Sequence, residues 1–258
     1  MRYWNKTLGK WMLRVVVFLF LLVALDVAVL AYPAPLFAHK GAFEEFTVYS
    51  SHPIPDQFAQ VMEGVRARIS AMEYARPGEH CRVFICGSER LHGFFAFLTR
   101  RTSNSMGIGL SAFGNMYLNE PKIRRVAARN YGGIRHSRFE GDFAEVIAHE
   151  IAHFNGVKEL GFRRAMAVPF WKSEGYAEYQ ANLAATRADS AYVFTDRIDL
   201  LLNDAFWGGD ASPARGLYEG QVLVEFLAEV KGFGLLDLLD EAVMESWARR
   251  EMLAWYAE

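Results

Sequence analysis

The chain has 258 residues, of which 52% are hydrophobic and 22% are charged, with a formal net charge of −2 and a pI near 6.4. This length and composition predict one sizeable globular core and exclude the polar bias of a disordered chain. The near-neutral charge gives no electrostatic case for a nucleic-acid partner, and we expect none.

The N-terminal region combines a basic start with a long apolar run. The run extends from Val15 to Leu25 and continues after Asp26 to Tyr32. Its length predicts a membrane anchor over residues 15–32, with a cleaved signal sequence as the alternative. Asp26 is costly in a bilayer, and Val29-Leu30-Ala31 offers a small-residue cleavage site; both favour that alternative. The preceding basic residues are Arg2, Lys6, Lys10 and Arg14.

The basic flank also predicts on which side of the membrane the chain lies. By the positive-inside rule, residues 1–14 are expected in the cytoplasm and the chain after about residue 33 outside it. In a bacterium, this describes a single-pass protein of the inner membrane with its main domain in the periplasm. We expect a linker at residues 33–44 and one domain at residues 45–258.

The first part of that domain is predicted to form a small mixed sheet with one helix. Hydrophobic residues recur at helical spacing after Asp56, from Phe58 to Met72, so this helix is expected to pack one face on the core. Short runs rich in β-branched and aromatic residues, bounded by turn signals, predict the strands. They are Phe46–Ser50, Arg82–Ile85, Met106–Ser111 and Asn115–Asn119.

The second part is predicted to be mainly helical. Residues 121–141 are basic and rich in turn formers, which predicts a solvated loop or broken helix, with a substrate or anion contact as the alternative. Asp142 and Glu145 form a capping-box-like start to a helix that runs to about Asn155. Further helices are predicted at Lys172–Ala185 and at Leu217–Lys231, with Gly232 ending the latter.

The helix after Asp142 contains the pattern HExxH, as His149-Glu150-Ile151-Ala152-His153. Four residues are about one helical turn, so both imidazoles project from one face, and neutral histidine nitrogens suit zinc. Glu150 lies beside them and can act as general base on a metal-activated water without being a ligand. Because apolar residues surround the motif, such a polar cluster would be costly to bury without a function.

A catalytic zinc ion needs a third protein ligand and one open position. Downstream, Trp171-Lys172-Ser173-Glu174-Gly175-Tyr176-Ala177-Glu178-Tyr179 follows the pattern W-x-x-E-G-x-A-x-Y. Together with HExxH, it resembles the gluzincin metallopeptidases over about residues 45–240. The resemblance implies that Glu174 is the third ligand. It also implies that Glu178, one turn later, hydrogen-bonds the outer nitrogen of His149 and fixes its tautomer.

A second assignment of the third ligand stays open from the sequence. Residues 149–159 also read HExxHxxGxxE, close to the metzincin pattern, in which Gly156 would permit a turn and Glu159 would bind the metal. Glu159 stands where that family has histidine. Met166 is the nearest candidate for a methionine turn, and this assignment leaves the second motif unexplained.

The gluzincin resemblance has two further implications. Some of these peptidases carry a tyrosine at the start of a later helix, and Tyr218 in the segment Tyr218–Leu227 matches it, which makes Tyr218 a candidate oxyanion donor. In the same family the edge strand before the active-site helix binds the substrate backbone. That role would fall to Gly107–Ser111.

The resemblance implies a zincin-like α+β domain with a small mixed sheet, an active-site helix beneath a cleft and a mostly helical C-terminal lobe. The implied function is zinc-dependent hydrolysis of peptide bonds in an extracytoplasmic protein or peptide. The alternative is a catalytically silent zinc-binding interaction module at the membrane. Retention of Glu150 favours the enzyme, because a structural zinc site needs no general base.

Overall fold

A mixed five-stranded sheet forms the N-terminal half of the domain. The strands are β1 (His39–Phe43), β2 (Phe46–Ser50), β3 (Cys81–Cys86), β4 (Gly107–Leu110) and β5 (Asn115–Asn119). Their order is β1-β2-β3-β5-β4; the inner pairs are parallel, and both edge strands are antiparallel to their neighbours. The computed structural model describes residues 2–76, 78–127, 143–207, 213–238 and 242–258.

Helices make up most of the remaining structure. In the N-terminal half they are α1 (Arg2–Ala31), α2 (Phe58–Ser70), α3 (Glu89–Thr99), α4 (Glu120–Ala127) and α5 (Phe143–Leu160). The C-terminal lobe contains α6 (Phe162–Ala167), α7 (Phe170–Ala188), α8 (Phe194–Leu202), α9 (Asp204–Trp207), α10 (Pro213–Glu225), α11 (Leu235–Leu238) and α12 (Glu245–Tyr256). A 3-10 turn at Ala34–Leu36 follows α1, and a π-helical turn at Phe226–Val230 extends α10.

The two faces of the sheet are buried by different helices because side chains alternate along each strand. Val83 and Ile85 of β3 pack with α2 and α5, whereas Phe84 and Cys86 pack on the other face against α3. The sheet is therefore a middle layer. Helix α5 lies on one face, and α3 lies on the other.

A second core lies within the C-terminal lobe, where α10 packs closely against α7. Two glycines allow this approach: a Cβ atom on Gly175 would lie 2.3 Å from the carbonyl oxygen of Gly220, and one on Gly220 would lie 2.9 Å from the carbonyl oxygen of Trp171. Because Gly175 directly follows Glu174, this backbone contact also sets the position of Glu174.

The predicted α+β class, mixed sheet and mostly helical C-terminal part are confirmed. The four predicted strands and the predicted helices are present, although α5 continues to Leu160 rather than ending near Asn155. The predicted linker at residues 33–44 is wrong, because His39–Phe43 pairs with β2 and the side chain of Phe37 is buried. Asp142 and residues 128–141 of the basic segment lie outside the described residues.

The predicted N-terminal apolar helix is present as α1. Its segment Gly9–Ala31 has 23 residues and contains an 18-residue window with a mean hydropathy of 2.7, which is long and apolar enough to cross a membrane. The side chains of its central part are exposed to the surroundings of the protein. Length and composition thus agree with the membrane anchor expected at residues 15–32.

The contact between α7 and α10 generates a stability prediction. Gly175→Ala is expected to destabilise the protein by about 1–3 kcal/mol, because the added methyl group meets backbone that cannot rotate away. The measurement is urea unfolding of the full chain in detergent micelles, followed by tryptophan fluorescence.

Gly156→Ala in α5 is the matched control for this prediction. A Cβ at Gly156 meets nothing within 4 Å, so alanine should leave stability unchanged or raise it by about 1 kcal/mol through its helix propensity. Equal unfolding midpoints for the two variants would contradict the close backbone contact.

Candidate metal site

Two crossing helices carry the residues of the two motifs. The helical repeat places His149 and His153 on the same side of α5, facing α7. Small side chains allow α7 to lie close, since Ala177 and Ala181 of α7 pack into the same core as Ile151 of α5. As a result, the first turns of α7 face the histidines across a short gap.

The structure brings the side chains of His149, His153 and Glu174 together. The two Nε2 atoms of the histidines lie 3.1 Å apart. The Glu174 carboxylate oxygens lie 3.5 Å from His149 Nε2 and 3.4 Å from His153 Nε2. Within the described residues, this is the one group of three His, Cys, Asp or Glu side chains arranged so that it could hold a metal ion.

These separations agree with tetrahedral coordination. Histidine and carboxylate ligands bind zinc at about 2.1 Å, and two ligand atoms at tetrahedral positions are then about 3.4 Å apart. The separation of the two histidine Nε2 atoms is within about 0.3 Å of that value, and one ligand atom from each of the three residues lies within 4.8 Å of the other two. The side chains therefore need little rearrangement to accept an ion of that size.

Glu178 is placed at the outer side of His149. Its Oε1 atom lies 3.5 Å from His149 Nδ1, while the second carboxylate oxygen and Nδ1 itself lack a well-aligned hydrogen bond. Burial alone would lower the pKa of His149. The carboxylates of Glu178, Glu174 and Glu150 outweigh burial and raise that pKa to about 9.

The surroundings shift the pKa values of the two other carboxylates, Glu174 and Glu150, in opposite directions. Burial would raise the pKa of Glu174, but hydrogen bonds and charge from His149 and His153 hold it well below its ordinary value. For Glu150 burial dominates, and its pKa is raised above the ordinary range. Glu174, a candidate ligand, therefore stays ionised, whereas the neighbouring Glu150 carboxylate is more basic than usual.

Glu150 is held against the edge strand β4. Its side chain is nearly buried, with 7% of the residue exposed, and the backbone N–H of Gly109 donates a hydrogen bond to its carboxylate. Cβ atoms on Gly107 and Gly109 would lie 2.4 and 2.6 Å from the carboxylate oxygens. Only a glycine at both positions leaves the carboxylate room to lie along the strand.

A cavity of about 720 Å³ opens over the site. His149, His153, Glu174 and Glu150 all line it, and β4 forms one of its walls. The cavity lining also includes apolar side chains from α6 and the start of α7. These are Phe162, Met166 and Phe170, which are also exposed to solvent.

The structure places the two remaining candidate residues elsewhere. Glu159 lies near the end of a continuous α5, with no turn at Gly156, and its carboxylate pairs with Arg76 at 3.3 Å. Tyr218 is fully buried, its hydroxyl lies 3.3 Å from Arg197 Nε and 3.4 Å from the Arg197 carbonyl oxygen, and it does not line the cavity. This geometry gives neither the metal-ligand role of Glu159 nor the oxyanion role of Tyr218 any support.

Sequence reasoning missed several residues of the cavity. Arg101 and Lys172 line it although no motif specifies a residue at these positions, and Glu145 lines it although the sequence indicated it only as a helix-capping residue. The pairing of Glu150 with Gly107 and Gly109 was also missed. Its sequence signal is the alternation Gly-Ile-Gly-Leu in a strand, since glycines on one face of a strand often mark a close approach.

The arrangement predicts which carboxylate binds the metal. Glu174→Gln is expected to lower zinc affinity by at least about 100-fold, because the ionised oxygen ligand is lost. Bound zinc would be measured by equilibrium dialysis and elemental analysis of the full chain in detergent. Glu159→Gln is the control and should bind as wild type does; loss of zinc in that variant instead would contradict the assignment.

The raised pKa of His149 predicts proton release on metal binding. At about pH 7 the metal-free His149 is protonated, and it must lose that proton to become a ligand, so zinc affinity should rise with pH up to about pH 9. Calorimetry in buffers of different ionisation enthalpy would measure about one proton released per zinc bound.

Glu178→Gln tests the cause of that proton release. Removing the carboxylate next to Nδ1 should lower the pKa of His149, and less than about half a proton should be released at about pH 7. An unchanged proton count would contradict the role of Glu178.

Comparison with known proteins assigns no family. No family model matches the sequence, and no curated protein matches it.

Proposed function

We propose that the chain is a membrane-anchored zinc metallopeptidase of the gluzincin kind. His149, His153 and Glu174 would hold the zinc ion, and Glu150 would be the general base. The support comes from the resemblance of both helix motifs and from the spacing of the three ligand atoms. Two histidine nitrogens and one carboxylate oxygen suit zinc better than they suit magnesium or calcium, which prefer oxygen ligands.

One observation carries the enzymatic proposal. The three ligand residues and Glu150 line the same open cavity. Structural zinc sites are closed by four protein ligands, whereas catalytic sites keep one position accessible. A cluster with three ligands that opens on a cavity, with a nearly buried carboxylate beside it, matches the catalytic arrangement.

In the proposed reaction, the bound zinc ion and Glu150 would have different roles. When bound, the zinc ion supplies Lewis acidity, which polarises a carbonyl group and makes a water molecule more acidic. The Glu150 carboxylate, oriented by the N–H of Gly109, would take up the proton of the attacking water and pass it to the leaving nitrogen. Its raised pKa makes it a stronger base than an ordinary carboxylate.

The cavity walls would bind a peptide on both sides of the reacting bond. Among the described strands β4 is at the edge of the sheet and lines the cavity, where an extended peptide would add as a further strand. The apolar wall formed by Phe162, Met166 and Phe170 would accept apolar side chains. A zincin-like fold for the domain belongs to the same proposal.

The proposed location is a bacterial inner membrane. α1 would cross it once, with the basic N-terminus in the cytoplasm and the catalytic domain in the periplasm. The substrate would then be an extracytoplasmic protein or peptide.

The proposed role of Glu150 predicts separate effects on binding and turnover. Glu150→Gln should keep its zinc but lose about 100- to 10,000-fold in the rate of peptide hydrolysis, because the side chain no longer accepts a proton. The measurement uses the full chain in proteoliposomes with a mixture of synthetic peptides of diverse sequence, and mass spectrometry of newly formed termini. Glu159→Gln is the control and should cleave as wild type does.

The same experiment distinguishes the alternative function. If zinc-loaded wild type and Glu150→Gln yield the same set of termini, the peptidase proposal is wrong. A silent zinc-binding interaction module at the membrane would be the remaining interpretation of the site.

A further inference from the structure

The last turn of α1 is part of the folded domain. The carbonyl oxygen of Leu30 accepts hydrogen bonds from Asn115 Nδ2 at 2.7 Å and from the Tyr117 hydroxyl at 2.9 Å. Both donors belong to β5, an inner strand of the sheet. The side chains of Val29 and Leu30 pack against the core between the sheet and α3. No flexible tether therefore separates α1 from the domain.

This attachment leaves little distance between the domain and a membrane that α1 crosses. The part of α1 that follows its last basic residue, residues 15–31, is 17 residues long, which at about 1.5 Å per residue gives about 26 Å, against about 30 Å for the hydrocarbon core of a bilayer. With the basic residues on the cytoplasmic side, the last helical turn then lies no farther out than the boundary between hydrocarbon and lipid headgroups. Because Val29 and Leu30 are packed in the domain, the domain surface around them must lie at that level as well.

α3 is the helix that lies beside this turn. Leu91, Phe95 and Ala96 of α3 pack in the same core as Val29 and Leu30. The outward side of α3 carries Phe94 and Phe97, which are 42% and 78% exposed. Two large aromatic side chains are thus left uncovered on the helix that packs against the last turn of α1.

Positive charges flank these aromatic residues. Arg90, Phe94 and Phe97 follow one another at spacings of four and three residues, which places them along one side of α3, and Arg100 and Arg101 come directly after the helix ends at Thr99. Arg90, Arg100 and Arg101 are exposed, and within the described residues none of them has an acidic partner. We call Arg90, Phe94, Phe97, Arg100 and Arg101 the α3 stripe.

The α3 stripe has the chemistry of a surface that rests on lipid. Aromatic side chains prefer the interface between headgroups and hydrocarbon, and arginine side chains pair with anionic headgroups. Tyr32, directly after α1, is 74% exposed and adds a third aromatic residue at the same level. A protein partner would explain the exposed aromatic residues but not their position next to the end of α1.

We propose that the α3 stripe lies in the headgroup region of the bilayer that α1 crosses, so that the domain rests on the membrane surface. The proposal depends on α1 spanning the bilayer, and it does not depend on peptidase activity. It adds a second contact to the anchor and defines the orientation of the domain, since a rigid body held at two points cannot tumble freely.

The lipid contact would also define the class of substrate, and this step rests on the proposed peptidase function. The chain passes from the α3 stripe directly into residues that line the cavity, namely Arg101, Thr102, Asn104 and Ser105. One end of the cavity would therefore lie beside the membrane surface. The substrate would be a segment of a membrane-bound protein close to the lipid headgroups.

The test places a fluorescent label at three single positions of the full chain. Phe97→Cys labels the α3 stripe, Ala67→Cys labels an exposed position of α2 on the other face of the sheet, and Leu21→Cys labels the middle of α1. The native Cys81 and Cys86 are buried, and burial raises the pKa of their thiols to about 11 and about 12, so they stay unlabelled. Phe97 is replaced without loss of core packing, because most of its side chain is exposed.

Each labelled protein is reconstituted into vesicles of phosphatidylethanolamine and phosphatidylglycerol that carry a nitroxide quencher either on the headgroup or on the acyl chain. We expect the headgroup quencher to reduce the fluorescence at position 97 at least about threefold more than at position 67. The acyl-chain quencher should act most strongly at position 21. In Arg100→Gln/Arg101→Gln, quenching at position 97 should weaken because the arginines no longer attract anionic headgroups.

Equal quenching at positions 97 and 67, with strong acyl-chain quenching at position 21, would overturn the proposal while leaving α1 as a membrane anchor. The α3 stripe would then face water, a second copy of the chain or another protein. Absence of acyl-chain quenching at position 21 would overturn the membrane anchor together with the lipid contact. Neither result bears on the comparison of wild type with Glu150→Gln, so failure of the peptidase function is recognised separately.

Discussion

The crossing of α5 and α7 gathers three carboxylates and two imidazoles where the cavity meets the protein interior. Glu150 and Glu178 are buried, and Glu174 lies against His149 and His153. When all three carboxylates are ionised, the negative charges of these five groups exceed the positive ones even if both histidines are protonated. Burying such an excess is costly, and a divalent cation at the three converging ligand atoms would neutralise it. The raised pKa of His149 is the response of the metal-free site to the same excess.

The rest of the fold holds the two helices at the separation that this cluster requires. On one side, the sheet and α2 bury the apolar residues of α5. On the other, the glycine contact between α7 and α10 brings the C-terminal lobe against the back of α7, directly beside Glu174. Because α7 packs into both cores whereas α5 packs mainly into the first, a shift in either core changes the distances between ligand atoms. Packing far from the cavity thus controls the geometry of the site.

The edge strand β4 links the site to the proposed membrane contact. One face of β4 carries Gly107 and Gly109, which make room for the Glu150 carboxylate. The other face carries Ile108 and Leu110, which belong to the core shared with α3 and the end of α1. A strand only a few residues long therefore connects the base of the proposed reaction to the layer that would face lipid. The proposed orientation of the domain and the position of the Glu150 carboxylate depend on the same element.

The sequence by itself determined the α+β class, four of the five strands, the apolar helix and the spacing of the histidines, because these depend on local periodicity and on the helical repeat. Both Glu174 and Glu159 were candidates for the third ligand in the sequence. Tertiary structure separated them, since only the crossing of α7 over α5 brings a carboxylate to the histidines. The tertiary structure also places Tyr218 in the C-terminal core and pairs part of the expected linker with β2 as strand β1. Neither the burial of Tyr218 nor the pairing of β1 could be predicted from the sequence, because strand pairing and helix crossing depend on contacts between residues far apart in the chain.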